Sequence, residues 1–507
     1  MADRLRGLIP LIAAALVGAA VLLPLAAVIW RAGGLSPLDG RSWDAVWFTL
    51  WQAALSAALS VGLAVPVARA LARRRFRGRA ALVALLGAPF ILPVIVAILG
   101  LLAVFGQKGW LSDVLALFGL PAVKIYGLHG VLLAHVFFNL PLATRLLLQG
   151  WQDIPAERFR LAATLGFRPW TMFRLIEWPM LRRIAPGAVM VIFVICLSSF
   201  AVALTLGGGP KATTVELAIY QAFRFDFDIG KAAQLAVVQL VLAGAAALVA
   251  MRLTLPEAGF GGLDRIVPRW DGSRLLDGFW IALVALFLLL PLAAIGLRGA
   301  GALVSLPASV WQAALYSVCV SLGAVLVTLT LALPLALSRR RWVELVGLLG
   351  IASSPLVLGT GLYLMINPFI APWDVALPVT AAVNAVMALP FALRILRPAA
   401  AQIEAEHGRL ADSLDLHGLA RLRWLVLPRL RRPLGFAAGL TGALAMGDLG
   451  VITLFADPDT ATLPLQMYRL MGAYRMDQAA GAALLLLILS FGLFWIFDRG
   501  GRFRADT

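Results

Sequence analysis

LPLATRLLLQGWQDIPAERFRLAATLGFRPWTMFRLIEWPMLRR, residues 140–183, returns as LPFALRILRPAAAQIEAEHGRLADSLDLHGLARLRWLVLPRLRR, residues 389–432, at a constant offset of 249 and without a gap. Seventeen of the forty-four positions are identical, where chance gives roughly one in ten in a chain this rich in Leu and Ala. Matched pairs include Leu140/Leu389, Pro141/Pro390, Arg145/Arg394, Glu157/Glu406, Arg160/Arg409, Ala162/Ala411, Leu165/Leu414, Arg174/Arg423, Pro179/Pro428 and Arg182-Arg183/Arg431-Arg432. The block is a gene duplication. It is charged and amphipathic in a very apolar protein, which implies that something outside the membrane is gripped twice.

The 507 residues are 61% hydrophobic and 14% charged, with a mean hydropathy of +0.91; a soluble domain carries roughly a quarter charged residues. The apolar runs are long and continuous, without the alternating pattern of barrel strands, so they predict membrane-spanning helices of about twenty residues. Twelve are expected, near 8–30, 48–70, 81–105, 127–149, 184–206, 230–252, 276–298, 310–337, 343–366, 376–396, 434–456 and 477–497. Arg4 and Arg6 precede the first, whose run is too long for a signal peptide, so it reads as an uncleaved helix. The fold class is all-α and polytopic.

Placing the even-side loops and both tails in one compartment gathers 33 of the 43 Lys and Arg there, including Arg73-Arg74-Arg75, Arg339-Arg340-Arg341 and both repeated loops. The positive-inside rule then puts both termini and both loops in the cytoplasm. The same distribution explains the net charge of +17, so no nucleic-acid partner is expected. Cys196 and Cys319 fall inside predicted helices of different halves, and neither a disulfide nor a metal site is expected. Trp30, Trp43, Trp47, Trp51, Trp110 and Trp151 cluster near span ends, as interfacial anchors do.

An even number of spans separates the repeats, so the halves share one orientation and are related by an axis along the membrane normal. WQAAL recurs at Trp51–Leu55 and Trp311–Leu315, and Thr205, Pro210, Thr214, Leu217 and Tyr220 echo Thr453, Pro458, Thr462, Leu465 and Tyr468 at an offset of 248. The expected organisation is a first half at 1–252, a cytoplasmic linker at 253–275 carrying Pro256, Gly259, Gly261-Gly262 and Pro268, and a second half at 276–507.

Within the repeat, two short amphipathic helices, roughly 154–165 and 169–177 in the first copy, should meet at a bend. Gly166 there accepts positive φ, and Asp415 tolerates the same region. Leu165 and Phe167, or Leu414 and Leu416, would project beside Arg168 and His417 as an apolar knob with a basic rim. An interfacial helix lying on anionic lipid is the plain alternative, but lipid demands no common register between halves.

The spacing Arg160-Leu161-Ala162, Gly166, Ile176, Trp178-Pro179, and its copy Arg409-Leu410-Ala411, Asp415, Leu425, Leu427-Pro428, resembles the cytoplasmic EAA loop of ABC importer permeases. Arg replaces the glutamate in both copies, with Glu157 and Glu406 one turn earlier. YGLHGVLLAHVFFNLPLATRLLLQ (126–149), DIPAERFRLAATLGF (153–167) and TLGGGPKATTVELAIYQA (205–222) are similar to the thiamine ABC transporter permeases, fused two-half subunits of about this size. The last stretch is also shared with ferric-iron permeases. The resemblance implies a type I importer permease in a bacterial inner membrane, present as one copy because its halves are fused. It also implies two ATPase subunits docked under Arg160, Ala162, Leu165, Gly166, Phe167 and Arg168 and under Arg409, Ala411, Leu414, Asp415, Leu416 and His417. An external binding protein would deliver the substrate. ATP and Mg would be bound by the partners, since no G-x-x-x-x-G-K-[ST] occurs and Gly207-Gly208-Gly209-Pro210-Lys211 lacks its spacing.

No catalytic constellation is expected. Asp448, in Gly447-Asp448-Leu449-Gly450, is the ionisable residue inside a span that stands out, and its repeat equivalent is Ser199, between Ser198 and Phe200. These four residues, Ser198, Ser199, Phe200 and Asp448, are the candidate pathway, with Asp448 either balancing a cationic substrate in transit or standing near the external mouth, hydrated or capping a broken helix. Arg145 and Arg394 should snorkel or hold loop carbonyls in preference to contacting substrate, and His129 and His135 should serve packing or hydrogen bonding rather than ligation. A secondary transporter would more often show inverted repeats and buried acids or broken helices for ions, at which only Asp448 hints; an intramembrane enzyme would need convergent catalytic groups such as a His-Glu-x-x-His helix, which does not occur.

Overall fold

The computed structural model describes residues 2–502 apart from 34–37, 210–211, 254–262, 264, 268, 270, 339, 341, 353 and 458. Pro210, Lys211, Arg339, Arg341, Pro458 and the linker residues Pro256, Gly259, Gly261, Gly262 and Pro268 therefore lie outside the described residues. Among the described residues helices are present and strands are not. Among the described residues all twelve apolar segments are mainly helical, and eleven helices are long and apolar enough to cross a membrane. The segment at 343–366 differs because it is two shorter helices, Trp342–Ala352 and Pro355–Ile366.

That interruption is one of four. In the third and fifth spans of each half the helix breaks near its middle. The third is split by Pro89 and Pro93, with Val94–Phe105 following. The fifth changes from Trp178–Leu197 to Phe200–Leu206 at Ser198-Ser199. In the second half, Ser354 and Pro355 restart the third span, the Ser354 Oγ accepting from Leu356 N at 3.1 Å. Gly447–Leu449 separates Leu427–Met446 from Gly450–Phe455. Irregular backbone at membrane depth is tolerated where it is buried in protein or lines a cavity. Here the breaks converge: a Cβ on Gly447 would lie 3.0 Å from Pro93 Cα, and one on Gly450 would lie 3.8 Å from Pro355 and 4.0 Å from Phe200.

Each half also lends its first span to the other. Gly361 of the second half packs directly on the Pro24 carbonyl of the first span, Ala2–Arg31. Symmetrically, a Cβ on Gly100 would come within 2.7 Å of the carbonyl of Pro291, on the seventh span Arg274–Ala302. Glycine is required at both contacts because backbone meets backbone. After the fifth span, a short helix in each half, Val215–Arg224 or Leu463–Gly472, docks on the second span through a hydroxyl. Thr49 Oγ1 accepts from Val215 N at 2.9 Å, and Ser317 Oγ accepts from Leu463 N at 2.7 Å.

Trp30, Trp43, Trp47 and Trp51 are exposed, as interfacial anchors should be. Trp151 is not one of them: it is buried and its Nε1 donates to Glu177 Oε1 at 2.9 Å.

Candidate functional site: coupling loops and a central cavity

The two repeated loops close their first helix with the same backbone turn. Ala156–Thr164 ends through Gly166 N donating to Ala163 O (3.0 Å) and Phe167 N to Ala162 O (3.0 Å), with Gly166 at φ +64°. In the second copy Asp415 N donates to Asp412 O (3.2 Å) and Leu416 N to Ala411 O (2.9 Å), with Asp415 at φ +53°. This is a Schellman closure, in which a left-handed residue lets the chain reverse and satisfies the last carbonyls. Ala162 and Ala411 are both buried under the turn, where a larger side chain would not fit as closely.

Outward from the turns, Leu165 and Leu414 have the same exposure, 61% each. Arg160, Arg409, Arg168 and His417 are also exposed, His417 Nδ1 standing 2.9 Å from Asp415 Oδ1. Phe167 and Leu416, expected in the knob, are instead half-buried. Their place in the exposed apolar surface is taken by Leu161 and Trp170 in the first copy and by Leu410 and Leu419 in the second. The reason is the turn itself, which points the residue after the left-handed position back onto the helix it has just left.

The loops differ in what holds them. In the second, the helix Ala376–Ser413 runs unbroken from the span into the loop, so the separate first helix expected there does not exist. Arg421 braces it from within, 2.8 Å from Glu404 and 2.7 Å from Asp412. The first loop leaves its span at Gln152 and is clamped from outside. Glu177 receives Arg69 at 2.8 Å and Arg269 at 2.7 Å; Arg269 also reaches Asp271 at 2.5 Å and lies 4.6 Å over the Phe159 ring. Arg73 and Arg74 grip Asp277 on the seventh span. Burial alone pushes the Asp271 carboxyl up, but the guanidiniums of Arg269, Arg73 and Arg69 outweigh it and hold the group below the ordinary carboxylate range. Described parts of the linker thus belong to the first loop's support.

Between the halves lies a cavity of about 830 Å³, lined by all four helix breaks. At the end nearer the loops it is bordered by Arg145, Gln149 and Arg394. Both arginines therefore line the cavity. At the far end stand Ser198, Ser199, Phe200 and Asp448, so the structure brings together all four sequence-derived pathway residues. Asp448 Oδ1 accepts from Gly450 N at 3.1 Å, capping the restarted helix, while Oδ2 has no hydrogen-bond partner. Asp448 thus caps the helix through one oxygen and keeps the other buried without a partner, while the residue lines the cavity. His135 bridges Ser56 (2.9 Å) and Ser199 (2.8 Å), a hydrogen-bonding role, and lines the cavity as well. Sequence reasoning missed Glu216 and Asn384, which also line it. Glu216 stands in a segment that is not itself a span, so a search for charges inside spans passes over it.

No family model matches the chain. It is 41% identical over 450 residues to the thiamine transport system permease protein ThiP of Salmonella typhimurium, covering 84% of this chain and 83% of that one. Its identity to the protein of the same name from Escherichia coli is 40%, with the same coverage. To that of Haemophilus influenzae it is 35% over 437 residues, 83% of this chain and 81% of the relative. The chain belongs to this family of permeases. It is accordingly a multi-pass membrane protein and a transport subunit of the ABC importer class. Broken helices, set down above as a mark of secondary transporters, are therefore no discriminant for this permease; they line its cavity. The relatives also favour the thiamine permeases over the ferric-iron permeases as the closer likeness.

Proposed function

We propose that the chain is the membrane subunit of an ATP-driven importer for thiamine and its phosphate esters. The observation that carries this is 35–41% identity to thiamine permeases over about 84% of the chain. Thiamine carries a permanent positive charge on its thiazolium ring, and the cavity's far end offers a carboxylate, Asp448, beside an aromatic ring, Phe200. Two separate ATPase subunits hydrolyse ATP, one docked against each loop through Leu165 and Leu414 and their apolar neighbours. An external binding protein delivers substrate to the opposite face of the membrane. The chain lies in a bacterial inner membrane with both termini cytoplasmic, as the basic residues argue. Closure of the ATPase pair moves the loops as levers and rocks the halves about the cavity. Reconstitution of the chain with its ATPase and binding protein into liposomes should give ATP-dependent accumulation of labelled thiamine; no accumulation by an assembled complex rejects the substrate.

A further inference from the structure

Among the described residues, acids with a carboxylate oxygen withdrawn from water fall into two groups. Glu177, Asp271 and Asp277, at the loop end, are each gripped by guanidinium groups. Asp448 and Glu216, at the far end of the cavity, are not. Glu216 is 1% exposed with Ser354 and Gln239 beside its carboxyl, as Asn384 stands beside that of Asp448, yet Glu216 Oε1 and Asp448 Oδ2 have no hydrogen-bond partner. A carboxylate oxygen held out of water without a donor is costly, and both side chains line the same cavity.

The two acids are connected through a few contacts. Ser354, beside the Glu216 carboxyl, precedes Pro355 in the chain; around the point where Gly450 would carry a Cβ, Asp448 Oδ1 lies at 3.6 Å, Pro355 at 3.8 Å and Phe200 at 4.0 Å. Glu216 comes from the first half and Asp448 from the second, and neither is duplicated: their repeat equivalents are Pro464 and Ser199. We propose that Glu216 and Asp448 form one paired-carboxylate site for an organic cation, walled by the Phe200 ring and assembled only when the far ends of the halves meet. The site rests on the thiamine reading for its occupant. Two acids in one low-dielectric wall attract a cation more strongly than either alone, and rotation of one half against the other separates them.

The test is equilibrium dialysis of labelled thiamine against the complete permease–ATPase complex without binding protein, alongside uptake by the reconstituted system. Glu216→Gln keeps shape and hydrogen bonding but removes charge. It should weaken thiamine binding about tenfold, as should Asp448→Asn, while Glu216→Asp binds nearly as wild type. Thiochrome, the neutral oxidation product of thiamine, serves as control: its weaker association should be the same in all variants. Wild-type binding by Glu216→Gln overturns the pair, as does equal loss of thiamine and thiochrome, which marks structural damage. Uptake by the wild-type system with no saturable dialysis binding overturns the pair and leaves the importer reading standing. Absence of wild-type uptake rejects the substrate reading, and the pair as stated falls with it.

Discussion

Asp448 shows how one carboxylate can cap a helix and line a cavity together. Its capping oxygen replaces a backbone partner lost at the break, while the other oxygen is buried without a partner. Asparagine in its place would keep the cap acceptor and the volume. We therefore expect Asp448→Asn to assemble with its ATPase but to import labelled thiamine about tenfold more slowly at subsaturating substrate, equivalent to ~1.4 kcal/mol; unchanged uptake would remove Asp448 from the pathway. Asp448 and Ser199 were legible in the sequence because the repeat aligns them and a charge in an apolar run is rare. The cluster around Glu177 was not legible: its partners Arg69, Arg269 and Trp151 lie at sequence distances of 108, 92 and 26, and no local pattern carries such a meeting.

At the level of the element, the coupling loops were readable down to the left-handed bend, because Gly166 and Asp415 are residue types that accept it. The four helix breaks were not read. A hydropathy window of about nineteen residues averages over a two-residue interruption, although Pro93, Ser198-Ser199, Pro355 and Gly447 marked each one. Equal exposure of Leu165 and Leu414 leads to a paired test. Changing both to Asp would put charge into whatever apolar pocket receives them, at roughly 1–3 kcal/mol per site. The double variant should insert in the membrane but lose co-purification with the ATPase and transport; normal behaviour in both assays would exclude these residues from coupling. The first loop's clamp should also respond to acid. Asp271 titrates below its unfolded value, so its stabilisation is complete above about pH 4 and lost as pH falls through the lowered folded value. On acidification below about pH 4 the melting temperature of the detergent-solubilised protein should fall less in Arg269→Gln than in wild type, because without that guanidinium the folded carboxyl is less depressed. Coincident curves would mean that Arg269 does not hold Asp271 ionised.

For the whole molecule, the distribution of basic residues is the argument for orientation. Single cysteines at Arg168 and His417 should resist an impermeant maleimide in intact cells, whereas one at the exposed Asp459 should react; the reverse pattern would turn the permease over. Duplication was visible in residues 140–183 and 389–432, but the exchange of first spans was not, because periodicity reports which face of a helix is apolar and never which helix covers it.

That exchange has a consequence for biosynthesis. When the ribosome has delivered the first six spans, the surface awaiting Pro291 is still uncovered and the opening helix has no Gly361 to rest on. The leading half must remain in the bilayer as an unfinished intermediate, vulnerable to membrane proteases, until the seventh and ninth spans emerge. Two ancestral copies translated separately would each have faced that wait at the mercy of diffusion and dilution. Covalent fusion turns the search for a mate into an intramolecular event, and the last-made helices complete what the first-made ones began.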